Sequence, residues 1–300
     1  MTDSPITGAP MTDATWIDKA LNTDFEQHRV TSDGCEISVR RRRAKGPVKQ
    51  SVLFVHGFVA QARWWDATIS MLPDDWDCVA MTYTGMGASG WREKYSVAQD
   101  IKDTLTVKDW ADFQTPPMLV GHSLGGGIST RLWNDHASDF QQFVILDSSL
   151  RFEPAKTPQY LSINRRFYDS KETAVGRFRF IPEQPIVHPA YVRYLAEHSV
   201  RYFDKGQDGK HWSWVFDFGR VEALYERSAF WYETFEVFKT FDPLPTFIRG
   251  AQSAICTDAW ADAYQQRLGE RAKLISIDGA YHHVLLDRPQ ELAATIQGLV

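Results

Sequence analysis

Cysteine is scarce: the 300-residue chain has three, Cys35, Cys78 and Cys256. None stands in a Cys-x-x-Cys pair, so zinc and redox-dithiol chemistry has no support here, and none has a base motif beside it that would make a thiolate nucleophile. An odd, sparse count without a secretory leader points to reduced thiols and a cytoplasmic location. The first thirteen residues hold no lysine, no arginine and no apolar core, so they read as a frayed tail and not as a signal peptide. No apolar run approaches the roughly 18 residues that a membrane span needs. A basic excess is lacking too: 33 Lys and Arg face 38 Asp and Glu, a net charge of −5, which argues against a nucleic-acid partner. No repeat of solenoid period is visible.

What is present is a soluble globular composition, 43% hydrophobic and 24% charged. Short β-rich runs alternate with helix-like stretches, the pattern of a mainly parallel sheet with helices on both faces. Strands are expected over 25–31 and 36–42 around the turn Ser32-Asp33-Gly34, then over 51–55, 78–83, 118–121, 143–146, 246–248 and 273–277. Helices are expected over 97–113, 124–136, 258–268 and 290–299. Residues 148–242 break the rhythm. They hold 21 of the chain's 40 Phe, Trp and Tyr and no clear buried strand, so they read as a mostly helical insertion whose aromatics pack its own core while a few line an apolar pocket. The run Arg40-Arg41-Arg42-Arg43 reads as a solvated strand end. Trp64 and Trp65 are expected in the core.

Gly121-His122-Ser123-Leu124-Gly125 fits Gly-x-Ser-x-Gly, and its context is what makes it informative. It follows the apolar run Met118-Leu119-Val120 and opens a helix-like segment. A serine at such a sharp strand-to-helix turn is pushed outward, and the helix N-terminus beyond it favours developing negative charge. Its hydroxyl needs a base. His282, in the loop after the last strand, is the candidate, with His283 as competitor; His122 reads as structural and His56 as shaping a loop. The base needs an acid. Asp147 ends the strand after the serine's helix, on the sheet edge where Ser123 lies; Asp258, after the strand over 246–248, is the alternative. Oxyanion donors are expected from the backbone N–H groups of Leu124 and of Phe58, in the turn His56-Gly57-Phe58.

Together these residues resemble the α/β-hydrolase family, over nearly all of the chain after the tail. Val55-His56-Gly57-Phe58 is similar to its oxyanion loop and Gly85-Met86-Gly87-Ala88-Ser89 to its Gly-x-Gly-x-Ser segment. His282, five residues before Asp287 and seven before Pro289, matches the family's closing histidine motif and is therefore preferred over His283. Ser253 stands where many members carry the acid; the subset with serine there carries the acid where Asp147 stands. The resemblance implies an α/β-hydrolase core over 15–147 and 243–300, a cap domain over 148–242 and a tail over 1–14. It implies a serine esterase with the triad Ser123, His282 and Asp147, no metal or organic cofactor, and a small-molecule ester as substrate. Carbon–carbon bond hydrolases and lactonases use the same triad and are the alternative; a non-catalytic binding scaffold is the third reading. A carboxylate-nucleophile epoxide hydrolase or dehalogenase is disfavoured by serine at 123. Nothing in the sequence specifies an oligomeric state.

Overall fold

Three short runs, Gln50–Val55, Trp76–Met81 and Met118–His122, have every residue buried, which requires a sheet covered on both faces. The computed structural model describes residues 13–148, 150–153, 165–220 and 230–300. In chain order its strands are β1 (Glu26–Ser32), β2 (Cys35–Arg42), β3 (Gln50–Val55), β4 (Trp76–Met81), β5 (Met118–His122), β6 (Gln142–Leu146), β7 (Val200–Gln207), β8 (Lys210–Trp214), β9 (Thr246–Gly250) and β10 (Leu274–Ile277). Eight form one sheet in the order β1-β2-β4-β3-β5-β6-β9-β10. Only β2 runs against its neighbours β1 and β4; every other adjacent pair is parallel. Parallel strands end on one edge, so the loops after β3, β5, β6, β9 and β10 are delivered to the same side of the molecule.

Helices cover both faces. On one lie α1 (Asp13–Asn22) and α2 (Asp66–Met71), which bury Trp16, Ala20, Ala67 and Ile69; on the other lie α3 (Val97–Ala111) and α4 (Leu124–His136), which bury Val107, Ala111, Ile128 and Leu132. The stretch after β6 contains α5 (Lys171–Val175), α6 (Pro189–Glu197), the antiparallel hairpin β7–β8 and α7 (Phe230–Phe238). Then α8 (Asp258–Leu268) joins the face of α3 and α4, while α9 (Val284–Asp287) and α10 (Pro289–Gln297) join that of α1 and α2.

Besides the short helices α2 and α9, two further elements were not expected. The hairpin β7–β8 is a two-stranded ribbon whose first strand is mostly exposed, so it lacks the buried apolar run by which a sheet strand is recognised; its local signal is the turn pair Asp208-Gly209, both at positive φ. Helix α1 falls at the end of the presumed tail, of which residues 1–12 lie outside the described residues. Its Trp16 is 1% exposed and meets the His188 and Tyr191 rings edge-on, at centroid distances of 4.9 and 5.2 Å. The stretch after β6 is also tied to helix α3. Arg220 makes two hydrogen bonds to Asp100 of α3, at 2.9 and 3.0 Å, with both side chains buried.

The arginine run is the clearest correction. Arg40, Arg41 and Arg42 are buried, and only Arg43 is solvated. Arg40 grips Asp66 at 2.8 and 2.9 Å and Arg41 grips Asp77 at 2.9 and 2.5 Å. Arg42 donates to the carbonyls of Ile69, Leu72 and Pro73 at 2.6–2.9 Å, at and just beyond the C-terminus of α2, where a cation is favoured. The partners lie 26 to 36 residues away, out of reach of any local reading. Burial pushes the Asp66 carboxyl up to about 6 against the pull of Arg40, so the pair is a weak source of stability, yet breaking it strands a buried cation. Asp66→Ala is therefore expected to cost about 3–5 kcal/mol and Arg43→Ala less than about 0.5 kcal/mol, read as urea-unfolding free energies. Equal small losses at both would mean that Arg40 is solvated.

Candidate active site

Ser123 sits between β5 and α4 at φ 51°, ψ −117°. A residue with a Cβ held there costs about 1–3 kcal/mol, and the surroundings hold it. Its N–H donates to the Leu146 carbonyl at 2.9 Å, and its own carbonyl accepts from the Ser148 hydroxyl at 2.8 Å. The turn also presses against the loop after β3. A Cβ on Gly125 would lie 2.6 Å from the His56 carbonyl oxygen, and one on Gly57 would lie 2.8 Å from Nδ1 of His122 and 3.1 Å from Cβ of Ser123. Glycine is the residue that lets these backbones pass. Phe58 follows directly. The Leu124 N–H, first in α4, has no hydrogen-bond acceptor among the described residues, as helix geometry dictates for a first-turn donor.

The loop after β10 brings His282 over this turn. Its Nε2 lies 3.1 Å from the Ser123 hydroxyl and its Nδ1 lies 2.8 Å from Oδ1 of Asp147. The tautomer that serves both carries its proton on Nδ1, leaving Nε2 to accept. Asp147 is 0% exposed, at φ 41° on the turn after β6. Its Oδ1 also accepts from the Ser253 hydroxyl at 2.7 Å, and its Oδ2 accepts from the Gly250 N–H at 2.8 Å. Ser253 thus occupies the place after β9 as a donor to the aspartate, a contact that the sequence reading missed. Asp258 is elsewhere. Its side chain is 83% exposed and pairs with Arg249 at 2.5 Å, without a hydrogen bond to His282.

The other three histidines around the site are buried and do different work. His56 accepts the Tyr83 N–H on Nε2 at 3.0 Å and so donates from Nδ1 to the Gly57 carbonyl at 2.7 Å, bracing the loop; burial pulls its pKa down to about 3. His122 donates from Nε2 to the His282 carbonyl at 3.0 Å, and burial lowers it well below the ordinary imidazole value. His283 is lowered likewise by burial, and neither of its ring nitrogens has a hydrogen-bond partner among the described residues. His122, His282 and His283 can each bring a ring nitrogen within 4.8 Å of the others. A tetrahedral zinc site holds its ligand atoms roughly 3.4 Å apart, so these rings would have to close in, and His282 would have to leave Ser123 or Asp147.

A cavity of about 320 Å³ opens beside this group, lined by Phe58 and His283 and by aromatics of the stretch after β6, Tyr168, Phe178, Trp214, Phe216 and Phe218 among them. Trp65 and Trp64 are both buried in the core, as expected, at 0% and 4% exposed; Trp64 also lines the cavity and meets the His283 ring at 5.3 Å. Asp287 secures the histidine loop. It accepts the Tyr281 N–H at 2.9 Å and both oxygens accept from Gln184 at 3.0 Å, while the Gln184 carbonyl oxygen takes the His283 N–H at 3.1 Å. Gln184 carries no sequence signal, because its partners are about a hundred positions away. Asp287→Ala leaves two donor groups, the Tyr281 N–H and the Gln184 amide, unsatisfied and is expected to cost about 2–3 kcal/mol, more than Gln184→Ala, in urea unfolding; the reverse order would mean that the loop is held by something else.

Comparison with known proteins bears on the family and the fold. The chain is 24% identical over 268 residues to lipase LipV of Mycobacterium tuberculosis, across 87% of this chain and 97% of LipV. It is 29% identical over 134 residues to the uncharacterized protein YqjL of Bacillus subtilis, of which it spans about half, 51%. Its fold is similar to that of the thioesterase domain from the curacin biosynthetic pathway, with a TM-score of 0.73 at 18% identity over 91% of this chain and 99% of that domain. Residues 52–295 match the alpha/beta hydrolase family, from within β3 into α10, and so take in the serine turn, the aspartate and the histidine loop: the chain belongs to that family.

Proposed function

We propose that the protein is a serine hydrolase of carboxylic esters, with Ser123 as nucleophile, His282 as general base and Asp147 as the acid that orients it. The observation that carries this is His282 bonded to both partners at once, at 3.1 Å to the serine and 2.8 Å to the aspartate. A relative named as a lipase and matched over nearly its whole length points the same way. Residues 15–147 and 243–300 form the hydrolase core in this reading, and 148–242 a cap whose aromatics help wall the cavity, which suits an apolar or aromatic ester.

The chemistry follows from the donors and acceptors. Ser123 Oγ attacks the ester carbonyl carbon as its proton passes to Nε2 of His282, and Asp147 stabilises the imidazolium. The oxyanion meets the backbone N–H groups of Leu124, at the positive end of α4, and of Phe58. Collapse of the tetrahedral intermediate breaks the bond to the alcohol, which leaves with the proton from Nε2. Water then attacks the acyl-serine, giving one proton to His282. The acid departs and Ser123 regains its hydrogen. No metal or organic cofactor is needed for any step.

Hydrolysis of p-nitrophenyl esters of increasing acyl length tests the reading. Ser123→Ala and His282→Ala are each expected to lower kcat by about 10⁴-fold or more; turnover retained by either folded variant would sink its assignment. Asp147→Asn is expected to cost about 10³–10⁴-fold and Asp258→Asn less than about threefold; the opposite ranking would move the acid to the loop after β9.

A further inference from the structure

The cavity beside Ser123 is unusual in its charge. The chain as a whole is acidic, at −5, yet no Asp or Glu is among the described residues lining the cavity, while Arg166, Arg177 and Arg179 all are. Most of the chain's arginines are spent on partners. Arg165, next door, donates to the carbonyls of Trp214 and Phe216 and lies over the rings of Trp91, Phe203 and Phe218. Arg166 and Arg177 are different. Among the described residues neither guanidinium has a hydrogen bond, an ion pair or a ring beneath it, and Arg179 reaches only the carbonyls of Gly176 and Phe178 beside it. Two acids adjoin the aromatic wall in sequence: Asp217 is engaged by the Tyr95 hydroxyl at 2.6 Å, and Asp169, exposed beside Tyr168, is not among the lining residues. Neither Ser123 nor His282 is among the described residues that line the cavity; it adjoins them through Phe58 and through His283, whose ring lies 4.8 Å from that of His282.

We propose that this cavity selects an ester that carries, beyond an apolar or aromatic body, an anionic group, carboxylate or phosphate, received by Arg166 and Arg177 with Arg179 at hand. The proposal names the substrate class of the site and rests on the reading of Ser123 as nucleophile. Guanidinium forks match carboxylate and phosphate oxygens in pairs, and the aromatic walls accommodate the body that joins the anion to the scissile bond. A neutral ester of the same size fills the walls and leaves the cations in water. The arginines are exposed, so each contact is worth about a fivefold change in affinity and not more, and the preference must weaken as salt screens it.

The test uses pairs that differ by one charge. Mono-p-nitrophenyl adipate is compared with its methyl ester for an anion on the acyl side. 4-Acetoxybenzoate is compared with its methyl ester for a carboxylate on the alcohol side, and with 4-acetoxyphenyl phosphate for a phosphate there. At least one anionic ester is expected to exceed its neutral partner by about tenfold or more in kcat/KM, through KM, at about 0.05 M salt, and by much less at about 0.5 M. In the double variant Arg166→Gln/Arg177→Gln that ratio should fall to near one, while Arg131→Gln, away from the cavity, keeps it. Ratios near one in the wild type, with the neutral esters turned over, overturn the proposal and leave the nucleophile standing. If no ester is turned over, binding decides. Adipate, benzoate and phenyl phosphate are titrated calorimetrically into wild type and the double variant. Binding lost in the variant keeps the anion site although the ester reading falls, and no binding to either overturns it.

Discussion

The site hangs on one buried carboxylate. Asp147 is wholly out of water, and an ion so placed costs several kcal/mol unless its lone pairs are met. They are met by the Ser253 hydroxyl, the Gly250 N–H and Nδ1 of His282, and the Asp147 N–H itself donates to the Ile248 carbonyl at 2.8 Å. Three neighbouring strands are thereby tied at one edge: β6 supplies the aspartate, β9 the donors, and β10 the loop with the histidine. The parallel arrangement is what allows this, because it puts the ends of β6, β9 and β10 side by side with the end of β5, where the serine turn lies.

Around that carboxylate the histidines divide their labour by environment. His56, His122 and His283 are buried without a carboxylate of their own, and burial holds all three far below the ordinary imidazole pKa. They serve as neutral donors, acceptors and packing surfaces: His56 braces the loop before Phe58, and His122 holds the backbone of His282. His282 alone among the four is given an acid on one nitrogen and a hydroxyl on the other. A base that is to accept and return a proton needs that asymmetry.

The stretch between β6 and β9 helps line the cavity next to this group. It is joined to the core by polar contacts of its own, Arg220 on Asp100 at one end and Gln184 on Asp287 and the His283 N–H near the histidine loop. It also sets aromatic rings and guanidinium groups, two of them without a side-chain partner among the described residues, on the same cavity. Packing around the cavity and the geometry of the reacting group are thus mechanically linked through a few side chains.

How much of this could be read from the chain alone follows from the range of each signal. The buried strands, the serine turn and the glycines around it are local: burial on both faces demands continuous apolar runs, and a strained turn demands small residues within a few positions. Ser123, His282 and Asp147 could be singled out because each follows such a strand, and parallel strands deliver their ends to one edge. The hairpin β7–β8 was hidden because a solvent-facing ribbon needs no apolar run. The arginines at 40–42 were misread, and Ser253 and Gln184 drew no role as donors, for one shared reason: the partners of each lie far along the chain. A guanidinium looks the same in the sequence whether water or a buried aspartate receives it. Local pattern determined which elements form and where the reactive residues stand. Only the tertiary structure, which brings donors to acceptors across scores of residues, decided which polar groups are buried, which are paired, and which are left facing the cavity.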